Sequence, residues 1–164
     1  MATQTEKGPD TGVQASGRQY ATFFVKDLFF GIEVLEVQEV LRFQEMTRVP
    51  RAPEVIEGLI NLRGQIVTAV DMRRKLNLPP RPETAAPMNV VVRAADGAVS
   101  LLVDEIGDVV EVDQNSFEKV PDNVNSETRE LVHGVYKLKD RLLLILDPAK
   151  AVEVGAAHAG EQGE

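Results

Sequence analysis

Gly58–Asp71 (GLINLRGQIVTAVD) recurs without a gap as Gly134–Asp147 (GVYKLKDRLLLILD), 76 residues further along the chain. In both copies a glycine opens an apolar run, a polar two-residue step interrupts it (Arg63-Gly64, Lys139-Asp140), and an aspartate ends a second apolar run. Short runs of β-branched and aliphatic residues joined by such a step predict a β-hairpin, with Gly64 accepting the positive φ of a tight turn. Asp71 and Asp147 stand where a side chain caps a short helix: Met72–Leu76 follows the first, and Pro148 takes the favoured first helical position after the second. Upstream, Pro53 reads as the start of one helical turn that Gly58 ends. A weaker echo precedes both copies: Val34, Val37 and Val40 match Val103, Ile106 and Val109, with Glu39 opposite Asp108. Two units are too few for a solenoid, so the pattern predicts two small barrels or sheets.

The rest of the chain fits mainly antiparallel β structure, since short strands follow one another with no long amphipathic helix between them. Tyr20–Val25 and Leu28–Val34 form a hairpin about Lys26-Asp27, with Gly31 a bulge or a close backbone approach. Val34–Arg42 reads as a bent strand that begins with a helical turn. Met88–Arg93 and Ala98–Val103 flank an Asp96-Gly97 turn, Val109–Val112 is a strand, and Asp113–Ser126 is an acidic loop before a helical turn over Glu127–Val132. Residues 1–18 and 153–164 lack apolar periodicity and read as mobile tails around one domain over 19–152. That domain divides into a unit at 19–78, a stiff linker at 79–87 with Pro79, Pro80, Pro82 and Pro87, and a unit at 88–152.

Composition excludes several classes of function. In 164 residues a core of ordinary size forms, burying roughly 70% of the unfolded surface. With no cysteine there is no disulfide, thiolate nucleophile or thiolate metal site, which fits a reducing compartment. No apolar stretch reads as a signal peptide or a membrane span. The net charge of −8 argues against nucleic acid as a partner. That charge is uneven: residues 42–81 hold eight basic side chains against four acidic ones, whereas 82–164 hold seven against sixteen. A basic face for an acidic protein partner is one reading; two ordinary solvated surfaces is the other.

Catalytic chemistry finds little to work with. His133 and His158 are the only histidines, so neither a two-histidine metal site nor a Ser-His-Asp arrangement assembles, and His133 reads as a surface residue. Asp104, Glu105, Asp108, Glu111 and Asp113 are the densest carboxylates, but they lack the ligand spacing and glycine of a calcium loop. Strand alternation places some of them on a wet face, with a small metal-binding or enzymatic β module kept as an alternative. Arg63, at a hairpin tip, has two readings: a solvated side chain, or a bidentate ion pair with Glu39 that orients a recognition surface, with Asp108 and Lys139 in the equivalent positions for a weaker pair. Val37 reads as core. Gly58 leaves a bare patch that another chain can approach, and an apolar groove between two β units would take a helix.

Five segments together resemble the bacterial chemotaxis coupling family CheW: FFVKDLFFGIEV, VLEVQEVLR, TRVPRAPEVIEGLINLRGQIVTAVDMRRKL, LLVDEIGDVVEV and GVYKLKDRLLLILDPAKAVE. The resemblance runs from about Tyr20 to Glu153. It implies two SH3-like five-stranded β-barrel subdomains with short helices and a hydrophobic seam between them, no catalysis, no cofactor and no metal. It implies a cytoplasmic adaptor recruited to membrane-associated arrays, without inserting in the membrane. There such an adaptor binds the cytoplasmic tip of methyl-accepting chemotaxis receptors and the regulatory domain of the histidine kinase CheA. Carried over by position, Val37, Glu39, Gly58 and Arg63 resemble the receptor-facing residues. Glu118, Pro121 and Asn123 lie in the loop that resembles a kinase or ring contact, although Asn123 replaces a family aromatic and Glu118 a basic residue. Thr68 stands where the family often has proline. A related adaptor serving another receptor-kinase array, for surface motility or development, is the alternative.

Overall fold

The computed structural model describes residues 17–95 and 97–153. Its strands are β1 (Gly17–Val25), β2 (Leu28–Glu33), β3 (Val37–Leu41), β4 (Ile56–Leu62), β5 (Gln65–Asp71), β6 (Met88–Ala94), β7 (Gly97–Val103), β8 (Glu105–Ile106), β9 (Val110–Asp113), β10 (Val132–Lys137) and β11 (Leu142–Leu146). One-turn helices α1 (Met72–Lys75), α2 (Ser126–Arg129) and α3 (Pro148–Ala151) punctuate them. The aspartate caps form as expected: Asp71 accepts from the Arg73 N–H and Asp147 from the Ala149 N–H, each at 3.0 Å. The bent segment also forms as expected, a 3-10 turn at Val34–Glu36 leading into β3.

Two sheets result, one in the order β9-β1-β2-β11-β10 with β8 also on β1, the other β3-β6-β7-β5-β4. Each joins two hairpins through one parallel pair, Leu144 opposite Phe30 in the first and Thr68 opposite Val99 in the second. The repeat is therefore kept in register, since Thr68 and Leu144 are equivalent. After β3 the chain crosses to the far edge of its sheet, where Thr47 exchanges two backbone hydrogen bonds with Leu59 of β4. Glu118 does the same with Val135 of β10. Both sheets are thus brought round edge towards edge.

The sheets do not divide the chain at the linker. Hairpin β1–β2 joins β9–β11, and hairpin β6–β7 joins β3–β5, so each sheet takes strands from both sides of 79–87. The units 19–78 and 88–152 follow the sequence repeat but exchange their first hairpins. Connection length accounts for this. The three-residue 3-10 turn after β2 rises about 6 Å, whereas returning β3 to the free edge of β1 means crossing two strand spacings, about 9.5 Å. The strand pairs instead with β6, Val37 opposite Val92; on the other side Ile106 lies opposite Phe23.

This exchange builds the seam. The largest apolar cluster takes Phe23, Phe30 and Ile32 from one hairpin, Val90, Val92 and Leu101 from the other, and Val70, Leu144 and Leu146 from β5 and β11. The opposite faces close smaller cores: Ile60, Leu62, Val67 and Val91 in one sheet, Tyr20, Tyr136, Leu143 and Ile145 in the other. Burial on both faces explains why β11 is an unbroken LLLIL run.

Three expectations need correction. β1 begins at Gly17, so Arg18, assigned to the tail, is strand and pairs with Glu33 at 2.6 Å. Gly58 does not end the Pro53 turn, which closes at Ile56 (N–H to the Pro53 carbonyl, 2.9 Å); it lies inside β4 beside a bulge. Asp104 does not belong to a wet acidic face: Arg73 and Arg81 converge on it, at 2.6 and 2.9 Å, and Arg73 also donates to the Pro79 and Pro80 carbonyls. The linker is thereby pinned to the seam. Asp96, His158 and the remainder of both tails lie outside the described residues.

Candidate functional site

Arg63 and Gly64 make the two-residue turn between β4 and β5, with φ of +52° and +86°. Both values are left-handed, as the tightest hairpin turns require. From this tip the guanidinium donates to both Glu39 carboxylate oxygens, at 2.5 and 2.9 Å. Glu39 belongs to β3 and Arg63 directly follows β4, and these are the two outermost strands of one sheet. The pair therefore clasps opposite edges of the sheet. Arg63 is 74% exposed and the Glu39 side chain 19%, so one partner faces solvent and the other is largely covered. Hydrogen bonding from Arg63 holds the Glu39 carboxyl below the usual glutamate range, and the same contact raises Arg63. In so open a place the pair serves geometry more than stability.

The other receptor-facing candidates lie nearby in roles of their own. Val37 is half-buried against the seam core, two positions from Glu39 across a bulge. Gly58 is buried, and a Cβ there would stand 2.7 Å from the Thr47 carbonyl oxygen and 3.1 Å from the Met46 Cβ. The chain that approaches Gly58 closely is thus the protein's own. Gly134 repeats the device: a Cβ there would stand 2.6 Å from the Glu118 carbonyl oxygen. The ion pair does not repeat. Among the described residues no salt bridge joins Asp108 to Lys139; Asp108 instead accepts a hydrogen bond from the Thr22 hydroxyl through its backbone carbonyl.

An apolar hollow of about 550 Å³ opens beside the β4–β5 hairpin, lined by Ile66, Thr68, Val99, Ala149 and Val152. Ile66 is 60% exposed there. The equivalent face of β10–β11 carries a smaller hollow of about 350 Å³, where Val124 and Thr128 stand against Leu142 and Leu144. The candidate kinase loop leads into that covering segment. Glu118 is held by its backbone to Val135 and by its side chain to Lys137 at 3.5 Å; the Pro121 carbonyl accepts from Arg129, and Asn123 is exposed.

Burial acts to raise the Asp104 carboxyl, but hydrogen bonds from Arg73, the Lys26 N–H and Arg81 outweigh it and hold the group below the usual range. Arg73 and Arg81 lie 31 and 23 positions from Asp104, and no local spacing signals such a meeting. Among the described residues no group of three or more His, Cys, Asp or Glu is placed to hold a metal ion, and no helix is long and apolar enough to cross a membrane.

A profile of the CheW-like domain matches residues 19–155, nearly all of the described chain. The chain belongs to this family. It is 33% identical over 132 residues to the chemotaxis protein CheW of Bacillus subtilis (strain 168), covering 80% of this chain and 85% of that one. It is 28% identical over 131 residues to chemotaxis protein CheW of Rhizobium meliloti (strain 1021), covering 80% and 84%. The crystal structure of the scaffolding protein TtCheW from Thermoanaerobacter tengcongensis superposes with a TM-score of 0.76 at 28% identity, over 84% of this chain and 93% of the other. The mainly β fold of two sheets is that of the CheW scaffold.

Proposed function

We propose that this protein is a non-enzymatic adaptor that holds chemoreceptors and the histidine kinase CheA together in a chemotaxis array at the cytoplasmic side of the membrane. The surface around Val37, Glu39, Gly58 and Arg63 takes the cytoplasmic hairpin tip of a methyl-accepting receptor. The segment with Glu118, Pro121 and Asn123 takes the regulatory domain of the kinase. Neither nucleic acid nor membrane insertion enters this function. The reading is carried by one observation: the charged clasp between Glu39 and Arg63, formed at only one of two equivalent hairpins, stands next to the larger of their two hollows. Apolar area supplies affinity and a fixed guanidinium supplies orientation, the combination that a docked amphipathic helix uses. Within this surface Gly58 acts indirectly, letting the Met46–Thr47 segment lie against β4 and so fixing the strand that leads to Arg63. Coupling then consists of binding: a receptor changes kinase output only through contacts that differ between its two signalling states.

The test is capture of a receptor tip fragment and of the kinase regulatory domain by wild type and Arg63→Glu. The expected result is receptor capture weakened by at least about tenfold, with kinase capture and thermal melting unchanged. Undiminished receptor capture removes Arg63 from the recognition surface. Failure of the wild type to capture either partner removes the adaptor reading.

A further inference from the structure

The β4–β5 tip is supported in a way that its counterpart is not. Arg63 adopts a left-handed φ, which costs free energy for any residue with a Cβ, and in turns of this kind Asn, Asp or Gly ordinarily fills the place. An arginine there needs support from beyond the turn itself. Asn61 supplies it, its exposed carboxamide oxygen accepting a hydrogen bond from the Gly64 N–H at 2.9 Å. That bond fixes the peptide on the far side of Arg63, so the side chain leaves the turn in one direction. In that direction both Nη atoms meet Glu39. At the other tip Lys137 stands in the place of Asn61 and Asp140 in that of Gly64. Lysine carries no acceptor, and at that tip the ion pair is missing as well.

We propose that Asn61 is a positioning residue for partner recognition: it holds the left-handed turn that aims Arg63, and the aimed guanidinium, not Asn61, meets the receptor's helical tip. The inference rests on the receptor-facing reading of Arg63 and adds to it the group that sets its geometry. Without the carboxamide the turn samples other conformations, the Glu39 contact loosens, and docking has to select the minority that still presents Arg63 correctly.

The experiment compares wild type, Asn61→Ala, Asn61→Asp and Arg63→Glu by two measurements: NMR titration of the Glu39 carboxyl and capture of a receptor tip fragment, with kinase-domain capture as the control. In Asn61→Ala the Glu39 titration is expected to move up towards an ordinary glutamate and receptor capture to fall about threefold to tenfold, the kinase control staying level. Asn61→Asp keeps the acceptor oxygen and is expected to restore capture. A general loss of packing would not move a single surface carboxyl in a sample that is still folded. An unmoved Glu39 titration in Asn61→Ala, or an Asn61→Asp variant as poor in capture as the alanine, overturns the proposal. Should Arg63→Glu leave receptor capture intact, the receptor-facing reading fails, while the Glu39 titration still decides whether Asn61 sets the tip.

Discussion

Hairpins β4–β5 and β10–β11 share a frame and part company at their tips and outer faces. In both, a buried glycine is pressed beneath a bridging segment, an aspartate caps a one-turn helix, and the second strand lies parallel to a strand of the exchanged hairpin. At the tip only the first has left-handed Arg63, its asparagine brace and a carboxylate partner. On the outer face the first carries the larger hollow. Leu41 of β3 matches Val110 of β9 at an offset of 69, while Gly58 matches Gly134 at 76, so the connection before β10 is longer. That longer connection includes Val124 and Thr128, which cover the face that Ile66 leaves exposed in the first copy. Where no Cβ fits, the two copies are alike; where water is the neighbour, they differ.

The strongest way to test this division is to compare Asp104 with Leu35, its equivalent at the 69-residue offset. Asp104→Ala leaves Arg73 and Arg81 without their shared carboxylate. Discounted for partial access to solvent, it is expected to cost about 2–3 kcal/mol in urea unfolding, against less than about 0.5 for Leu35→Ala, which is 83% exposed. The acid dependence has a definite sign. Because the Asp104 carboxyl is held low in the fold, its contribution is present in full above the unfolded value of about 3.9 and is lost as pH falls through the folded one. The stability gap between wild type and Asp104→Asn is therefore expected to be level through neutrality and to close below about pH 4.

Next in size come the paired glycines. Gly58→Ala and Gly134→Ala each force a Cβ against a backbone carbonyl and are expected to lower stability by about 1–3 kcal/mol apiece. A neutral result at either one breaks the equivalence of the two copies. Charge reversal separates them instead: Lys139→Glu is expected to leave receptor capture within about twofold, whereas Arg63→Glu loses at least about tenfold. Smallest is Arg141, which stacks on Phe24 and Phe29 at 5.2 and 5.1 Å and whose counterpart is Gln65. Arg141→Ala is expected to cost about 0.5–1 kcal/mol in thermal melts, and Gln65→Ala close to nothing.

Much of this division is legible in the residues themselves. Hairpin frames, aspartate caps and the Glu39–Arg63 pair depend on local patterns or on the repeat, and the chain folds accordingly. Gly58 signalled a close approach, but only the fold reveals that Thr47 makes it. The exchanged hairpins were hidden because either partner hairpin offers the same apolar alternation; the short 3-10 turn decides, and its length matters only once strand spacing is considered. Asp104 was grouped with its acidic neighbours because charge counted along the chain cannot see two arginines, one from α1 and one from the linker, more than twenty positions away.

The exchange has a practical corollary for anyone dissecting the molecule. Severing the proline-rich stretch at 79–87 would part every hairpin from all the strands it pairs with outside itself, leaving neither fragment with a whole sheet. Scissors belong at the 3-10 turn of Val34–Glu36 and at Asp104, because the stretch between them already holds β3 to β7 in full, along with Asn61, Arg63 and Glu39. The smallest piece able to keep the Glu39–Arg63 clasp is thus an uninterrupted interior run of sequence, and what surrounds it closes only when the two outer arms meet.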